Sequence, residues 1–305
     1  MNSSIILFII VFLSLACAKT NMGLKSLSST SDPQPACYSS AVWGINSGQS
    51  IYEIHNELDN WKQILGSLVY LDRVSACNGG IVWGINSNDD IYYRSGISGS
   101  WKQITGKLRY LRVLPNGRVW GINAQKEIWT ISGPTGTWAK IAGSLVYLDV
   151  ASDGTVWGIN ADDNIYVRKG ITGAWTQISG SLKRLRVMAD GTVWGINKNQ
   201  QIYRRQGISG AWKQVIGSLV YLDVNDDGQI WGINNQGNIY TKLNTVNPDW
   251  TLIPGALVKL RVLPNGAVWG INSGNSIYYL KPGSTNWVQI SGALVSLWGD
   301  KLNIN

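Results

Sequence analysis

The apolar positions of the chain fall into short runs broken by glycine, asparagine and aspartate. No stretch sustains the 3.6-residue apolar period with caps that a helix needs. The runs recur. Val42-Trp43-Gly44-Ile45-Asn46 returns around Trp83, Trp120, Trp157, Trp194, Trp231 and Trp269, at spacings of 40, 37, 37, 37, 37 and 38 residues. A fixed period of this size marks a repeat architecture.

One repeat shows the elements. Trp138-Ala139-Lys140-Ile141 is a first strand-like piece, closed by Gly143. Leu145 to Val150 is a second, and Asp153-Gly154 supplies a tight turn in which Gly takes positive φ. Thr155 to Asn160 is the third and Ile165 to Arg168 the fourth, with residues 161–164 turning between them. Short strands joined by short turns predict an antiparallel meander, and four-stranded units of about 40 residues in tandem predict a β-propeller. Complete units open at Trp61, Trp101, Trp138, Trp175, Trp212 and Trp250, residues 41–54 supply a third and fourth piece, and Trp287 to Trp298 a first and second. The expectation is an all-β, seven-bladed propeller over residues 36–305. Its last blade is shared equally by the two chain ends, which closes the ring; six blades with a spare half at each end is the alternative.

The 16 Trp fit this count, seven at each of two repeat positions, with Trp129 in place of a fourth-piece Tyr and Trp298 closing the last second piece. Blades packed face to face need wide, flat side chains, so core is their default role. The second pieces carry a pattern of alternating sign: Asp72, Arg112, Asp149, Arg186, Asp223, Arg261. Equivalent positions lie side by side around a ring, and an odd ring cannot alternate without a clash. The seventh position is Trp298, which is neutral. This charge ring is expected at or just beneath the central channel.

Composition changes the picture at the ends of the chain. Ile5 to Leu15 is an apolar run of 11 residues, too short for a bilayer span of roughly 20 and suited to a secretory signal. Ala16-Cys17-Ala18 predicts cleavage after Ala18, giving a signal over 1–18; a lipoprotein cut before Cys17 is the alternative. Residues 19–35, rich in Ser and Thr, read as a flexible leader. No later segment reads as a membrane span, so a secreted, extracellular protein is expected. Cys37 and Cys77 each lie six residues before a repeat Trp. In an oxidising compartment they are expected to bridge, contributing roughly 3–4 kcal/mol, with two buried free thiols as the alternative.

The formal charge of +8 favours anionic partners. Catalytic signals are nearly absent: His55 is the only histidine and has no recurring partner. No Cys/His cluster has zinc spacing. Asp223-x-Asn225-x-Asp227-Gly228 copies half a calcium loop but has Asn234 at its twelfth position. A non-enzymatic chain without cofactor or metal is expected. What recurs is polar groups beside aromatics. Gln63, Gln103, Gln177, Gln214 and Gln289 follow the first-piece residues Trp61, Trp101, Trp138, Trp175, Trp212, Trp250 and Trp287 by two positions in five repeats, hence on the same face. Tyr52, Tyr92, Tyr166, Tyr203, Tyr240 and Tyr278 recur in the fourth piece, and Arg94, Arg168 and Arg204 follow. Flat aromatic surfaces flanked by amide and guanidinium groups suit sugars, and weak sites repeated around a ring gain by multivalency. The structural reading of the same residues is turn formation by Asn46 and its equivalents and backbone satisfaction by Gln.

The motifs W-x-Q-I-x-G-x-L, then G-x-V-W-G-I-N, then I-Y resemble the tectonin repeat over residues 41–298. That family includes tachylectin-type and fish-egg lectins. The resemblance implies a β-propeller lectin that binds glycans, bacterial lipopolysaccharide among them, in innate recognition or agglutination. Glycans rather than nucleic acid are the expected partners.

Overall fold

The structure, a computed structural model, describes residues 41–74, 80–225, 227–244 and 249–299. The signal over 1–18, the leader over 19–35 and the Cys37–Cys77 bridge lie outside the described residues. Seven four-stranded antiparallel sheets are arranged as blades, with no helix among the described residues. Blade 1 runs Tyr70–Val74, Ile81–Ile85, Asp90–Ser95, Lys102–Lys107, and blade 2 runs Tyr110–Val113, Arg118–Ile122, Glu127–Ser132, Ala139–Ser144. Blade 3 runs Tyr147–Val150, Thr155–Ile159, Asn164–Lys169, Thr176–Ser181, and blade 4 runs Arg184–Val187, Thr192–Ile196, Gln201–Gln206, Lys213–Ser218. Blade 5 runs Tyr221–Val224, Gln229–Ile233, Asn238–Leu243, Thr251–Ala256, and blade 6 runs Lys259–Val262, Val268–Ile271, Ser276–Leu280, Trp287–Ala293. Blade 7 joins the C-terminal strand Ser296–Gly299 to Val42–Ile45, Ser50–Ile54 and Lys62–Ser67. In each blade these are the inner, Trp-Gly, Ile-Tyr and outer strands. Each inner strand contacts the next, and that of blade 7 contacts that of blade 1, which closes the ring.

The blade boundary corrects the sequence reading by one strand. The W-x-Q-I piece is the outer strand of the blade before it, not the first of the blade that follows. Blade 7 therefore takes three strands from the N-terminal side and one from the C-terminal side rather than two from each. Connection length misleads here. Two residues, Leu145-Val146, join the outer strand of blade 2 to the inner strand of blade 3 and read as a hairpin, whereas the 170–175 loop lies inside blade 3.

Local chemistry sets each element. The turn after the Trp-Gly strand is held by its final Asn: Asn160 Oδ1 accepts the N–H groups of Asp162 (3.0 Å) and Asn164 (2.9 Å). In all seven blades the equivalent Asn accepts the i+4 N–H. The Trp-Gly strands are buried on both faces, and their seven Trp are the largest side chains of the core. The glycine beside each is required by close approach. A Cβ on Gly158 would lie 2.3 Å from Cδ1 of Leu145, which is itself buried. The L of each G-x-L motif thus fills the face that its glycine leaves bare, and Leu294 does this for Gly44 across the chain ends.

Candidate functional site

Two places gather polar groups: the junctions between blades at the outer strands, and the central channel. At the outer strand the ladder carries an irregularity in every blade. In blade 2 Glu127 pairs with Ser144 while Ile128 pairs with Ile141, so Ala142 and Gly143 are extra, and the same step recurs in the other six. Gly143 sits at φ +113°, and a Cβ there would meet the Trp175 indole at 3.1 Å. The bulge is the seat for the next blade's tryptophan. Trp175 donates its indole N–H to the bulge carbonyl of Ala142 (2.7 Å), Trp250 to Ile216 (2.8 Å) and Trp287 to Pro254 (2.8 Å).

The seated indole also meets the buried Trp of the preceding blade. Trp43–Trp101, Trp269–Trp61, Trp83–Trp138, Trp157–Trp212 and Trp194–Trp250 are edge-on, with centroids 5.9–6.5 Å apart and planes at 71–79°. Core is thus the role of the Trp-Gly strand tryptophans; all seven outer tryptophans, Trp138 and Trp175 among them, are half-buried at the junctions.

Register brings the expected polar residues to these indoles. Tyr92 pairs with Gln103, Tyr166 with Gln177, Tyr203 with Gln214, Tyr52 with Gln63 and Tyr278 with Gln289. Two residues on, hence on the same face, come the Trp and the residue beside it. Blades 1, 3 and 4 carry a complete set: Tyr92, Gln103, Arg94, Trp101; Tyr166, Gln177, Arg168, Trp175; Tyr203, Gln214, Arg205, Trp212. The five Gln side chains are exposed, so they are not spent on buried backbone.

The arginines differ from the sequence expectation. Arg94 lies over Trp43 and Trp101, Arg168 over Trp120 and Trp175, and Arg205 over Trp157 and Trp212, each 5.2–5.7 Å from the centroids. Two donors of each are taken by turn carbonyls, one from Nε and one from Nη2: Arg94 by Gly96 (2.9 Å) and Ile97 (2.6 Å), Arg168 by Gly170 (2.9 Å) and Ile171 (2.5 Å), Arg205 by Gly207 (2.9 Å) and Ile208. Burial lowers the pKa of all three. Through these contacts they brace the junction. Arg204, grouped with them on the sequence, is one place out of register: Arg205 holds the equivalent position, and Arg204 Nε donates to Asn244 Oδ1 (2.7 Å). Lys242 takes the role in blade 5, 5.6 Å from the centroids of Trp194 and Trp250.

Between blades 4 and 5 the junction opens into a groove of about 460 Å³. It is lined by Tyr240 and Trp250 of blade 5, Gly217 and Ser218 of blade 4, and the turn residues Gln200 and Gln236. The turn residues were not singled out on the sequence. The one sequence signal for Gln200 is its place three residues after the repeat Asn, and in the structure Gln200 and its equivalents Gln49, Asp89, Lys126, Asp163 and Asn275 share a positive φ of 64–67°.

In the channel the six alternating charges sit on the inner strands. Arg112 Nε is 3.1 Å from Asp149 and its Nη1 3.7 Å from Asp72; Asp223 lies 3.1 Å from Arg186 Nε and 3.3 Å from Arg261 Nη1. The aspartates also accept backbone N–H groups of the next inner strand, from Val113 (3.0 Å), Val187 (3.1 Å) and Val262 (3.1 Å). Asp223 is therefore committed to the ring and does not open a calcium loop. Among the described residues no group of three His, Cys, Asp or Glu could hold a metal, and no helix is long and apolar enough to cross a membrane. His55 Nε2 lies 3.0 Å from Glu53.

A family model described as Tectonin domain matches residues 36–174, 70–242 and 171–298. No curated protein matches the chain. Among solved structures, YCF48 bound to D1 peptide is similar at 14% identity and TM-score 0.55, covering 81% of this chain and 90% of that one. The computationally designed Ika8 protein is similar at 13% and 0.62, covering 88% and 92%. YCF48 from Cyanidioschyzon merolae is similar at 11% and 0.57, covering 88% and 97%. At these identities the likeness is one of fold.

Proposed function

For a chain that belongs to the tectonin family, we propose the function of a multivalent lectin, secreted and non-enzymatic, that binds glycans or lipopolysaccharide on microbial or cell surfaces. The observation that carries this reading is the outer junction. A half-buried indole, anchored through its N–H or braced by a cation, stands beside a Tyr and an exposed Gln amide, and the arrangement recurs around a ring. The indole and Tyr offer flat apolar surface to sugar C–H faces, and the amide offers both a donor and an acceptor to hydroxyls. Each site is small, so avidity comes from repetition. The positive net charge adds attraction to anionic glycans.

The test is a glycan array at two salt concentrations, with agglutination of bacteria or erythrocytes. The triple variant Gln103→Ala, Gln177→Ala, Gln214→Ala changes exposed side chains only. It is expected to lower glycan binding at least about tenfold, equivalent to 1.4 kcal/mol, with an unchanged melting temperature. Absence of binding to every glycan removes the reading. A second reading, an extracellular protein-interaction propeller, would use the apolar side chains that single positions of the outer strands expose, Leu65 (87%) in blade 7 and Ile216 (90%) in blade 4 foremost. It predicts a protein partner that binds regardless of sugar and is lost on Leu65→Lys with Ile216→Lys.

A further inference from the structure

The channel has two unlike ends. At one end the inner strands begin with Tyr70, Tyr110, Tyr147, Arg184, Tyr221, Lys259 and Ser296. They enclose a cavity of about 220 Å³ whose deeper wall is Arg112, Arg186, Arg261 and Trp298. This lining holds five cations and no carboxylate. The carboxylates of Asp149 and Asp223 line the opposite end. Arg112, Arg186 and Arg261 are answered there by the aspartates. Arg184 and Lys259 are not. Arg184 lies 5.6 Å over the ring of Tyr221, and Lys259 Nζ donates to the carbonyl of Val295 (2.5 Å) and to Ser296 Oγ (3.2 Å). Among the described residues neither meets a carboxylate.

The tyrosines are placed as a wall. Tyr70 donates to Leu111 O (3.1 Å) and Tyr110 to Leu148 O (2.8 Å), each on the next blade, while Arg186 donates to the Tyr147 hydroxyl (2.8 Å). Their rings therefore lie along the circumference, with Tyr70–Tyr110 and Tyr110–Tyr147 centroids both 5.3 Å apart and Tyr70 edge-on to Trp298 at 5.7 Å. Partial desolvation and the positive charge of Arg184 both hold the Lys259 ammonium below its ordinary pKa; both side chains reach solvent at this end of the channel, and no carboxylate lines the cavity with them. A cleft of one charge sign with low-dielectric walls concentrates its field on a counter-ion.

The geometry points to a second, axial site in this propeller: the aromatic, cationic end of the channel binds a small carboxylate that carries a flat ring, its carboxylate on Arg184 and Lys259 and its ring against Tyr221, Tyr147 and Trp298. The cavity is smaller than the roughly 300–1,000 Å³ typical of drug-sized ligands, which confines the guest to about a single ring. The site is separate from the junction grooves and stands whether or not those bind sugar.

Benzoate is the probe, titrated calorimetrically into the full-length protein, with benzamide as its neutral isostere and inorganic sulfate as a bare anion. Benzoate is expected to bind, to weaken with added salt, and to be displaced only weakly by sulfate. The double variant Arg184→Gln, Lys259→Gln is expected to bind benzoate at least about tenfold less tightly. Tyr221→Leu is expected to weaken benzoate more than sulfate, since the ring both stacks the guest and carries Arg184. No benzoate binding, equal binding of benzamide, sulfate as tight as benzoate, or a double variant that binds like the parent would each overturn the assignment.

Discussion

Gly158 shows how little freedom a single position has in this fold. It faces Leu145, and a methyl group there would stand 2.3 Å from a buried Cδ1. Gly158→Ala is expected to cost about 1–3 kcal/mol, as overpacking does, read as a lower denaturation midpoint with unchanged slope. The channel tyrosines give a second expectation at this scale. Burial pushes Tyr110 and Tyr221 up to about 12, and Tyr70 and Tyr147 well above their ordinary value. In the unfolded chain all four ionise near pH 10. Between about pH 10 and pH 12 the unfolded state sheds protons that the folded state keeps, so rising pH favours unfolding. The stability these groups supply is complete below pH 10 and lost above it, at up to about 1.4 kcal/mol per pH unit for each. Denaturation midpoints at pH 9, 10 and 11 check the trend, and tyrosinate absorbance is expected to show these four ionising late together with Tyr279, whose pKa burial also raises.

Among the elements, the inner strands are the least conventional. Neighbouring inner strands belong to different sheets, and an aspartate carboxylate makes the hydrogen bond that a ladder would have made, as Asp223 does with Val262 N–H at 3.1 Å. Arg186→Asp sets a carboxylate against Asp223 and strips Tyr147 of its donor. Breaking a buried pair costs about 3–5 kcal/mol, so the melting temperature should fall clearly, while the same change at exposed Lys213 should leave it alone. The alternation itself was legible in the sequence because position in a repeat fixes position in a ring. So were the strands and the blade number, through the period of the Trp-Gly-Ile-Asn run. The boundary between blades was not. Leu145-Val146 is as short as a hairpin, and an apolar pattern cannot tell whether a strand pairs with the one before or the one after it. The junction was half legible. Trp175, Tyr166 and Gln177 share a face by simple counting, but that Arg168 is spent on the carbonyls of Gly170 and Ile171 depends on loop geometry that no pattern encodes.

At the scale of the whole molecule, the ring is held shut by one short strand. Ser296–Gly299 pairs with Val42–Ile45, and Leu294 fills the bare face of Gly44. A chain ending at residue 293 loses both, and its melting temperature is expected to drop by about 10 °C with a broadened transition, followed by circular dichroism. Every blade also turns its last strand outward, so seven rows of unsatisfied amides face the surroundings, a standing invitation for one sheet to continue into a neighbouring molecule's. The two extra residues that seat each indole bend that rim and interrupt its hydrogen-bonding repeat. The device that joins blade to blade inside one ring is thereby also expected to keep separate rings from zipping together into fibrils.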